Sequence, residues 1–256
     1  MNPIPSLLLG AALLAALPAS AATCKAASGP TLIPVVELYT SEGCNSCPPA
    51  DKWFATLDAK SAVVPLAFHV DYWDYIGWRD RFAKAAYSQR QRDEVQRHGG
   101  RIVYTPQILF DGGDWQPWVR SWQLGESVAK TAQRAPGASI VLEAVAARGT
   151  LEVDARIALA GAVRPADALV YLALTENNLS SRVTAGENNG VTLQHDHVVR
   201  EWIGPLPVAP DGKVEFRKSL ALDGAWKARD LALVAYAQDR RTGATLQALS
   251  LPVCSR

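Results

Sequence analysis

Two cysteines stand three residues apart where a predicted strand passes into a predicted helix. Cys44 and Cys47 frame the run Cys-Asn-Ser-Cys, and two prolines follow it. In this arrangement we expect the strand end to present Cys44 to solvent and the first helical turn to bring Cys47 underneath. The helix dipole would favour the Cys44 thiolate. The spacing therefore predicts a redox dithiol, with Cys44 as the attacking thiolate and Cys47 as the resolving thiol.

Other sites share this spacing. Half of a zinc site has it too, but tetrahedral zinc needs two more ligands, and the first half of the chain holds neither a second Cys-x-x-Cys nor a matching histidine pair. We therefore predict no metal. A permanently oxidised, structural Cys44–Cys47 bridge stays open. So does copper delivery, because soft thiolates select Cu(I), although no histidine or methionine lies nearby.

The other two cysteines lie far apart in the sequence. Cys24 comes early and Cys254 is the third residue from the end. We predict a structural disulfide between them, since chain termini often lie close together; free or mispaired thiols are the alternative. If Cys24 and Cys254 pair, Cys44 and Cys47 can pair only with each other, as a redox couple requires.

The first half alternates strand and helix patterns, which predicts an α/β domain over residues 23–135. Short runs rich in β-formers predict strands at 34–40, 62–70 and 108–110. A helix is predicted at about 48–59, after the cysteine turn, with two prolines in its first turn. A second is predicted at 81–98, where breakers are few and charges have helical spacing, and a last one at about 124–134, ending before Pro-Gly.

The second half changes period, with Gly, Pro, Asn and Asp between short apolar or alternating runs. These predict seven strands, at 140–147, 151–159, 169–175, 197–203, 214–220, 231–238 and 245–253. Seven short strands without helix patterns favour an all-β antiparallel sandwich domain. We place the boundary at Ala-Pro-Gly, residues 135–137, and the sandwich domain at 138–256.

The composition excludes some classes of function. The 256-residue chain is 48% hydrophobic and has a formal net charge of +1. A disordered chain would be far less apolar, and a protein that grips nucleic-acid phosphates needs a basic excess. We expect no nucleic-acid partner.

The first 22 residues read as a secretory signal peptide. Eleven apolar residues at 7–17 precede Ala19-Ser20-Ala21, so cleavage is predicted near Ala21 or Ala22. No other apolar run is long enough for a membrane span. We therefore expect a periplasmic or secreted protein, in a compartment where disulfides persist.

Residues 38–47 (Leu-Tyr-Thr-Ser-Glu-Gly-Cys-Asn-Ser-Cys) resemble the strand–turn–dithiol segment of thioredoxins and glutaredoxins. This resemblance implies a thioredoxin-like fold for the first half. In those families a cis proline precedes the third core strand and faces the dithiol. Pro106 occupies the matching place, about sixty residues after Cys44. The resemblance implies that Thr105 and Pro106 position the substrate backbone.

A narrower resemblance covers nearly the whole mature chain. The chain is similar to secreted bacterial thioredoxin-like proteins known only as domain of unknown function 1223. The similar runs lie at 36–44, 47–51, 69–74, 77–78, 104–107, 186–188 and 198–200. The resemblance supports the fold and the exported location, and it implies no substrate.

Three further features have two interpretations each. Glu37 could take a proton from Cys47 if it points under the dithiol, or it is a solvated strand residue. The aromatic segment 72–78 is either a binding rim beside Cys44 or a packed cover. His195 and His197 lie on one face of an extended chain, which would suit a metal only with a third ligand such as Glu187; an exposed loop is the alternative.

The sequence thus predicts an exported thiol–disulfide oxidoreductase. It would act on protein thiols or disulfides, use an unidentified redox partner, and need no organic cofactor, because the dithiol is itself the redox centre. The alternatives are a non-catalytic binding module of the cell envelope and the copper–thiolate carrier.

Overall fold

A computed structural model describes residues 23–57, 59–120, 122–147 and 149–254. Within these ranges the chain is mostly β-sheet, with three α-helices and several short 3₁₀ turns. The signal peptide predicted at residues 1–22 lies outside the described residues.

The first half contains each predicted strand and helix, with shifted ends. Its elements are β1 (Thr23–Ala27), β2 (Val35–Thr40), α1 (Pro48–Phe54), β3 (Val64–His69), α2 (Ala85–Arg97), β4 (Gln107–Phe110), β5 (Gly113–Asp114) and α3 (Trp122–Thr131). Helix α1 stops about five residues earlier than predicted, where the Thr56 hydroxyl donates to the Trp53 carbonyl oxygen at 2.6 Å. Strands β1 and β5 were not predicted; their short sequences carry no alternating pattern.

The second half contains all seven predicted strands and one additional hairpin. Its elements are β6 (Ala138–Ala147), β7 (Thr150–Leu159), β8 (Ala168–Glu176), β9 (Leu179–Arg182), β10 (Thr192–His195), β11 (Val198–Leu206), β12 (Lys213–Ala221), β13 (Leu231–Asp239) and β14 (Thr245–Pro252). The additional strands β9 and β10 form a two-stranded sheet of their own. They are short and mostly polar, which is why the sequence pattern did not indicate them.

One eight-stranded sheet runs through both halves, in the order β14-β13-β8-β11-β3-β2-β4-β5. The halves join where β11 lies parallel to β3, with Val198 opposite Ala67. Strands from both sides of the predicted boundary at residues 135–137 therefore belong to one sheet. The division into domains at that boundary stays a prediction.

A second sheet, in the order β1-β6-β7-β12, covers one side of the first. Its apolar residues pack with those of β8, β13 and β14 in a shared core. Pairing of β1 with β6 brings the start of the described chain beside its end, where Cys24 and Cys254 form a disulfide.

Strand β2 lies inside the eight-stranded sheet and is buried on both faces. Val36 and Leu38 pack with α1, whereas Val35 and Tyr39 pack with β3 and α2 on the other face. Because side chains alternate along a strand, Glu37 lies on the same face as Tyr39. The face on which a side chain lies decides whether it can reach the cysteines at the end of β2.

Candidate functional site

The cysteines at the end of β2 form a disulfide, Cys44–Cys47. The connecting turn is hydrogen-bonded: the N–H of Cys44 donates to the Ser41 carbonyl at 3.1 Å, and that of Cys47 to the Cys44 carbonyl at 3.2 Å. Helix α1 begins directly afterwards with Pro48 and Pro49. The local strand–turn–helix order is thus the one that the sequence predicted.

The expectation that Cys44 faces solvent was wrong. Cys44 and Cys47 are both 0% exposed. Two segments from elsewhere in the chain pack against the cysteine turn, and the sequence around the cysteines contains no sign of either.

The first cover is the loop between β9 and β10, residues 183–191, which we call the cap loop. The Asn188 side-chain amide donates to the carbonyl oxygens of Glu42 and Cys44, at 2.9 and 3.0 Å. The N–H of Asn45 donates to a Glu187 carboxylate oxygen at 3.1 Å. The Glu42 carbonyl and the Asn45 N–H gain partners through these contacts, and the Cys44 carbonyl gains a second one beside the N–H of Cys47. The cap loop is thus bonded to the cysteine turn itself.

The second cover is the aromatic segment, residues 72–78. A Cβ added at Gly43 would lie 3.1 Å from the Trp73 Cβ and 3.2 Å from an Ile76 methyl carbon, and one at Gly186 would lie 3.1 Å from the same carbon. Gly186 also has φ +70°, which side chains rarely adopt. Glycine at both positions allows the turn, the aromatic segment and the cap loop to meet. The close approach of Trp73 to Gly43 supports the second interpretation of this segment, a packed cover.

Glu42 connects both covers to the cysteine turn. Its N–H donates to Asp80 Oδ2 at 2.9 Å, and its carboxylate accepts the Trp78 indole N–H at 2.8 Å. The other carboxylate oxygen lies 3.3 Å from His195 Nε2. Burial favours the neutral acid, but the contacts with His195 and Trp78 outweigh it and lower the pKa of Glu42.

A second buried histidine–carboxylate pair lies beside the first. His69 Nδ1 is 2.6 Å from Asp80 Oδ2, and the His69 and His195 rings meet edge-on with centroids 4.8 Å apart. Burial is the largest single influence and opposes a charge on either partner. The attraction and hydrogen bond between the two, together with neighbouring groups, outweigh burial, so the pKa of His69 is raised and that of Asp80 is lowered. The described residues thus place two histidines and several carboxylates next to the disulfide turn.

The two histidines singled out in the sequence, His195 and His197, lie in different surroundings. His195 is buried against Glu42, whereas the His197 ring packs edge-on against Phe54 at 5.9 Å. Burial lowers the pKa of His197. No group of three or more His, Cys, Asp or Glu side chains in the described part of the chain is arranged to hold a metal ion.

Thr105 and Pro106 precede β4, joined by a cis peptide bond as expected. The Thr105 hydroxyl accepts the Trp73 indole N–H at 2.8 Å. This bond ties the turn before β4 to the aromatic segment, and hence to the cover over the cysteines.

Glu37 lies on the α2 face of the sheet, away from α1. It accepts hydrogen bonds from Arg90 Nε at 3.0 Å and from the Tyr39 hydroxyl at 2.5 Å. Neither interpretation of Glu37 holds, because it is neither solvated nor directed towards Cys47.

Sequence reasoning missed Glu42, Asp80 and Asn188, and it considered Glu187 only as a metal ligand. The only available sign was the Gly-Glu-Asn run at 186–188, one of the runs similar to domain of unknown function 1223. The structure explains this run: Glu187 and Asn188 bond to the cysteine turn, and Gly186 allows close packing.

None of the helices among the described residues is both long and apolar enough to cross a bilayer.

Comparisons with known proteins identify a family and a fold. No curated protein matches the chain. The crystal structure of a protein from Agrobacterium tumefaciens is similar, with a TM-score of 0.63 and 24% identity over 90% of this chain and 98% of that one. The structure of HBP35 of Porphyromonas gingivalis is similar with a TM-score of 0.65 and 15% identity, over 88% of this chain and 76% of that one. At such identities the likeness concerns the fold alone. The family model described as protein of unknown function (DUF1223) matches residues 35–238, most of the chain, and the chain therefore belongs to that family.

Proposed function

We propose that this protein is an exported thiol–disulfide exchange protein whose first half has a thioredoxin-like arrangement. The observation that carries the proposal is the Cys44–Cys47 disulfide between a central strand and a helix start, enclosed by hydrogen bonds from a remote hairpin. Parallel β2 and β3, antiparallel β4 and helix α1 behind the disulfide support the thioredoxin-like part.

A purely structural role explains this disulfide poorly. In the chain-entropy model a bridge between residues three apart stabilises by only about 2 kcal/mol, whereas one closing a loop as long as that of Cys24–Cys254 stabilises by about 5 kcal/mol. The terminal pair is therefore the effective staple. The Cys44–Cys47 bridge, surrounded by hydrogen-bonded polar groups, suits reversible thiol–disulfide exchange better than a stabilising role.

In the proposed reaction a substrate thiolate attacks Cys44 Sγ. A bond forms between the two sulfurs, the Cys44–Cys47 bond breaks, and its electron pair leaves on Cys47, which then takes a proton. A second substrate thiolate releases the substrate as a disulfide, and the protein is left as a dithiol. The reverse sequence reduces a substrate disulfide, with Cys44 attacking and Cys47 resolving. An external thiol–disulfide partner restores the starting state, and no organic cofactor is required.

The buried disulfide requires the cap loop to move before a substrate can react. The β9–β10 hairpin forms its own small sheet, and its base carries two non-glycine residues with positive φ, Asn178 at +55° and His197 at +57°. The hairpin is thus attached by two short connections and held down at its tip by Asn188. We propose that the tip of the hairpin, the cap loop, opens as a flap.

Exposed apolar residues support a polypeptide substrate. The large hydrophobic side chains that are exposed within the described chain are Tyr75, Ile102, Tyr104 and Val191. Tyr75 is in the aromatic segment, Val191 ends the cap loop, and Ile102 and Tyr104 precede Thr105. A substrate segment that reaches the opened disulfide would meet these residues, and the Thr105 backbone could then pair with it.

The flap makes a testable prediction for Asn188→Ala. The variant loses both amide hydrogen bonds to the cysteine turn, each worth about 0.5–1.5 kcal/mol, so the open form gains population. Reduction of the disulfide by a small thiol should become about tenfold faster or more. Asn189→Ala is the matched control, because the exposed Asn189 side chain has no hydrogen bond to a described residue. Equal reduction rates in the two variants would contradict the flap.

The function itself is tested on the mature chain by two measurements. Equilibration with thiol buffers should place the Cys44–Cys47 couple within the span of about −270 to −120 mV seen for exchange proteins. The protein should also speed the reduction of insulin by a small thiol, and the Cys44→Ser/Cys47→Ser variant should not. A couple below about −300 mV with no effect on insulin would instead support the non-catalytic binding module.

A further inference from the structure

While the cap loop is closed, Cys47 has no contact with solvent that could take up or supply its proton. The proposed reaction makes Cys47 a leaving thiolate when the disulfide opens, and a thiol that must lose its proton when it resolves a mixed disulfide. Cys47 is fully buried, and a buried thiolate without a partner is costly. An acid–base group inside the protein must therefore hold the proton. Glu37 cannot do so, because it lies on the other face of the sheet and is bonded to Arg90.

We propose that Asp51 is the group that exchanges a proton with Cys47. The inference rests on the proposed function and deepens it. The N–H of Asp51 donates to the Cys47 carbonyl at 3.1 Å, so the two residues are one helical turn apart on the same face. Side chains at this spacing are neighbours, with Cβ atoms about 5–6 Å apart.

Asp51 is buried without a strong cationic partner. It is 7% exposed, and within the described ranges no cation lies at ion-pair distance from it. Burial raises the pKa of Asp51, and the nearby charges of His195 and His69, with the Thr40 hydroxyl, offset only part of that increase. The acid therefore retains its proton to higher pH than an exposed aspartate does, and can donate it.

The space beside Asp51 is closed to water. A narrow gap separates α1 from the sheet, and its walls are Leu38, Asp51, Phe54, Ala67, His69, His195 and Asp196. It has no room for a water molecule. The titratable groups facing Asp51 across it are His69, His195 and Asp196, with Asp80 and Glu42 bonded behind the two imidazoles.

The proton and the electron pair then balance within the protein. When a substrate thiolate bonds to Cys44 Sγ, the disulfide's electron pair goes to Cys47 and the Asp51 proton follows it. The products are a Cys47 thiol and an Asp51 carboxylate next to His69 and His195. In the resolving direction, the carboxylate takes the proton as Cys47 attacks.

The first test uses a chain with one free thiol. In Cys44→Ser, Cys47 is the only unpaired cysteine, and the ultraviolet absorbance of its thiolate reports its titration. Adding Asp51→Asn should lower the pKa of Cys47 by about one unit or more, because a neighbouring negative charge is removed. Asp93→Asn, an equal change at an exposed site on α2, should leave the titration unchanged. An unchanged titration in the Asp51 variant overturns the proposal.

The second test uses the chain with all four cysteines. The rate at which a small thiol opens the disulfide is divided by the thiolate fraction of the reagent. The corrected rate should fall as pH rises through the pKa of Asp51, and Asp51→Asn should be at least about tenfold slower at low pH and independent of pH. Asp51→Glu keeps an acid and should retain the pH-dependent step. Circular dichroism establishes that each variant is folded, and a pH-dependent rate in folded Asp51→Asn contradicts the inference.

The two proposals fail separately. If the wild-type protein does not act on insulin while Asp51→Asn still shifts the Cys47 titration, the proposed function is wrong and the proton partner stands. If insulin is reduced and the titration does not shift, the function stands and Asp51 is not the partner.

Discussion

Cys47→Ser is expected to remain covalently attached to its substrate through Cys44, whereas Cys44→Ser should attach to nothing. A substrate disulfide attacked by Cys44 becomes a mixed disulfide, which the Cys47 thiol normally breaks. Serine at position 47 cannot attack sulfur in this way, so the adduct accumulates. The change is close to all-or-none, and non-reducing electrophoresis with mass spectrometry of the adducts measures it.

The buried disulfide turn shapes the design of this experiment. Cys44 is covered by the cap loop, so trapping should be more complete when Cys47→Ser is combined with Asn188→Ala than with Asn189→Ala. The variant that lacks both Cys44 and Cys47 provides the background. Adducts formed by Cys44→Ser, and not by Cys47→Ser, would reverse the order of attack.

Arg90→Ala is expected to lower the free energy of unfolding by about 3–5 kcal/mol. Arg90 is buried on α2, bonded to Glu37 and 3.4 Å from Glu94. Its guanidinium lies 4.9 Å from the centroid of the Trp202 ring and 5.1 Å from that of Tyr171. Removing the cation leaves the buried Glu37 carboxylate without a cation, whereas Glu94 keeps its ion pair with Arg97. An uncompensated buried charge is costly in a desolvated site.

Denaturant unfolding of Arg90→Ala and Arg92→Ala measures this effect. Arg92 is on the same helix and bonds only to Gln89 among the described residues, so its loss should change stability by no more than about 0.5 kcal/mol. A loss below about 1 kcal/mol for Arg90→Ala would mean that the buried Glu37 carboxylate finds another partner or takes up a proton. Because Trp202 belongs to β11 and Tyr171 to β8, this cation lies between α2 and strands of the second half.

Features set by local patterns could be predicted from the sequence. The seven strands of the second half follow from alternation and turn residues, and the order of β2, cysteine turn and α1 follows from a β-rich run, two cysteines and two prolines. Strand ends moved by only a few residues. Each of these features depends on neighbours within one element, where side-chain period and backbone preference act together.

Short polar strands could not be predicted in this way. The strands β9 and β10 have little apolar alternation, and they are held by each other and by bonds at the hairpin base, such as that from the N–H of Asn178 to Asp196 at 2.9 Å. The sequence also did not determine on which face of β2 Glu37 lies, because β2 is buried on both sides and its residue pattern does not distinguish the two faces.

The sequence by itself determined that a cysteine pair follows a strand and opens a helix, and that a β-rich half follows. Only the tertiary structure decided that this pair is buried. Asn188 lies 144 residues from Cys44 and bonds to it through a side-chain amide and a backbone carbonyl. Such a long-range contact leaves no periodic pattern in the sequence and requires no particular residue near the cysteines. It exists because the β9–β10 hairpin folds back over the turn, and the same folding places His195 beside Glu42 and next to His69.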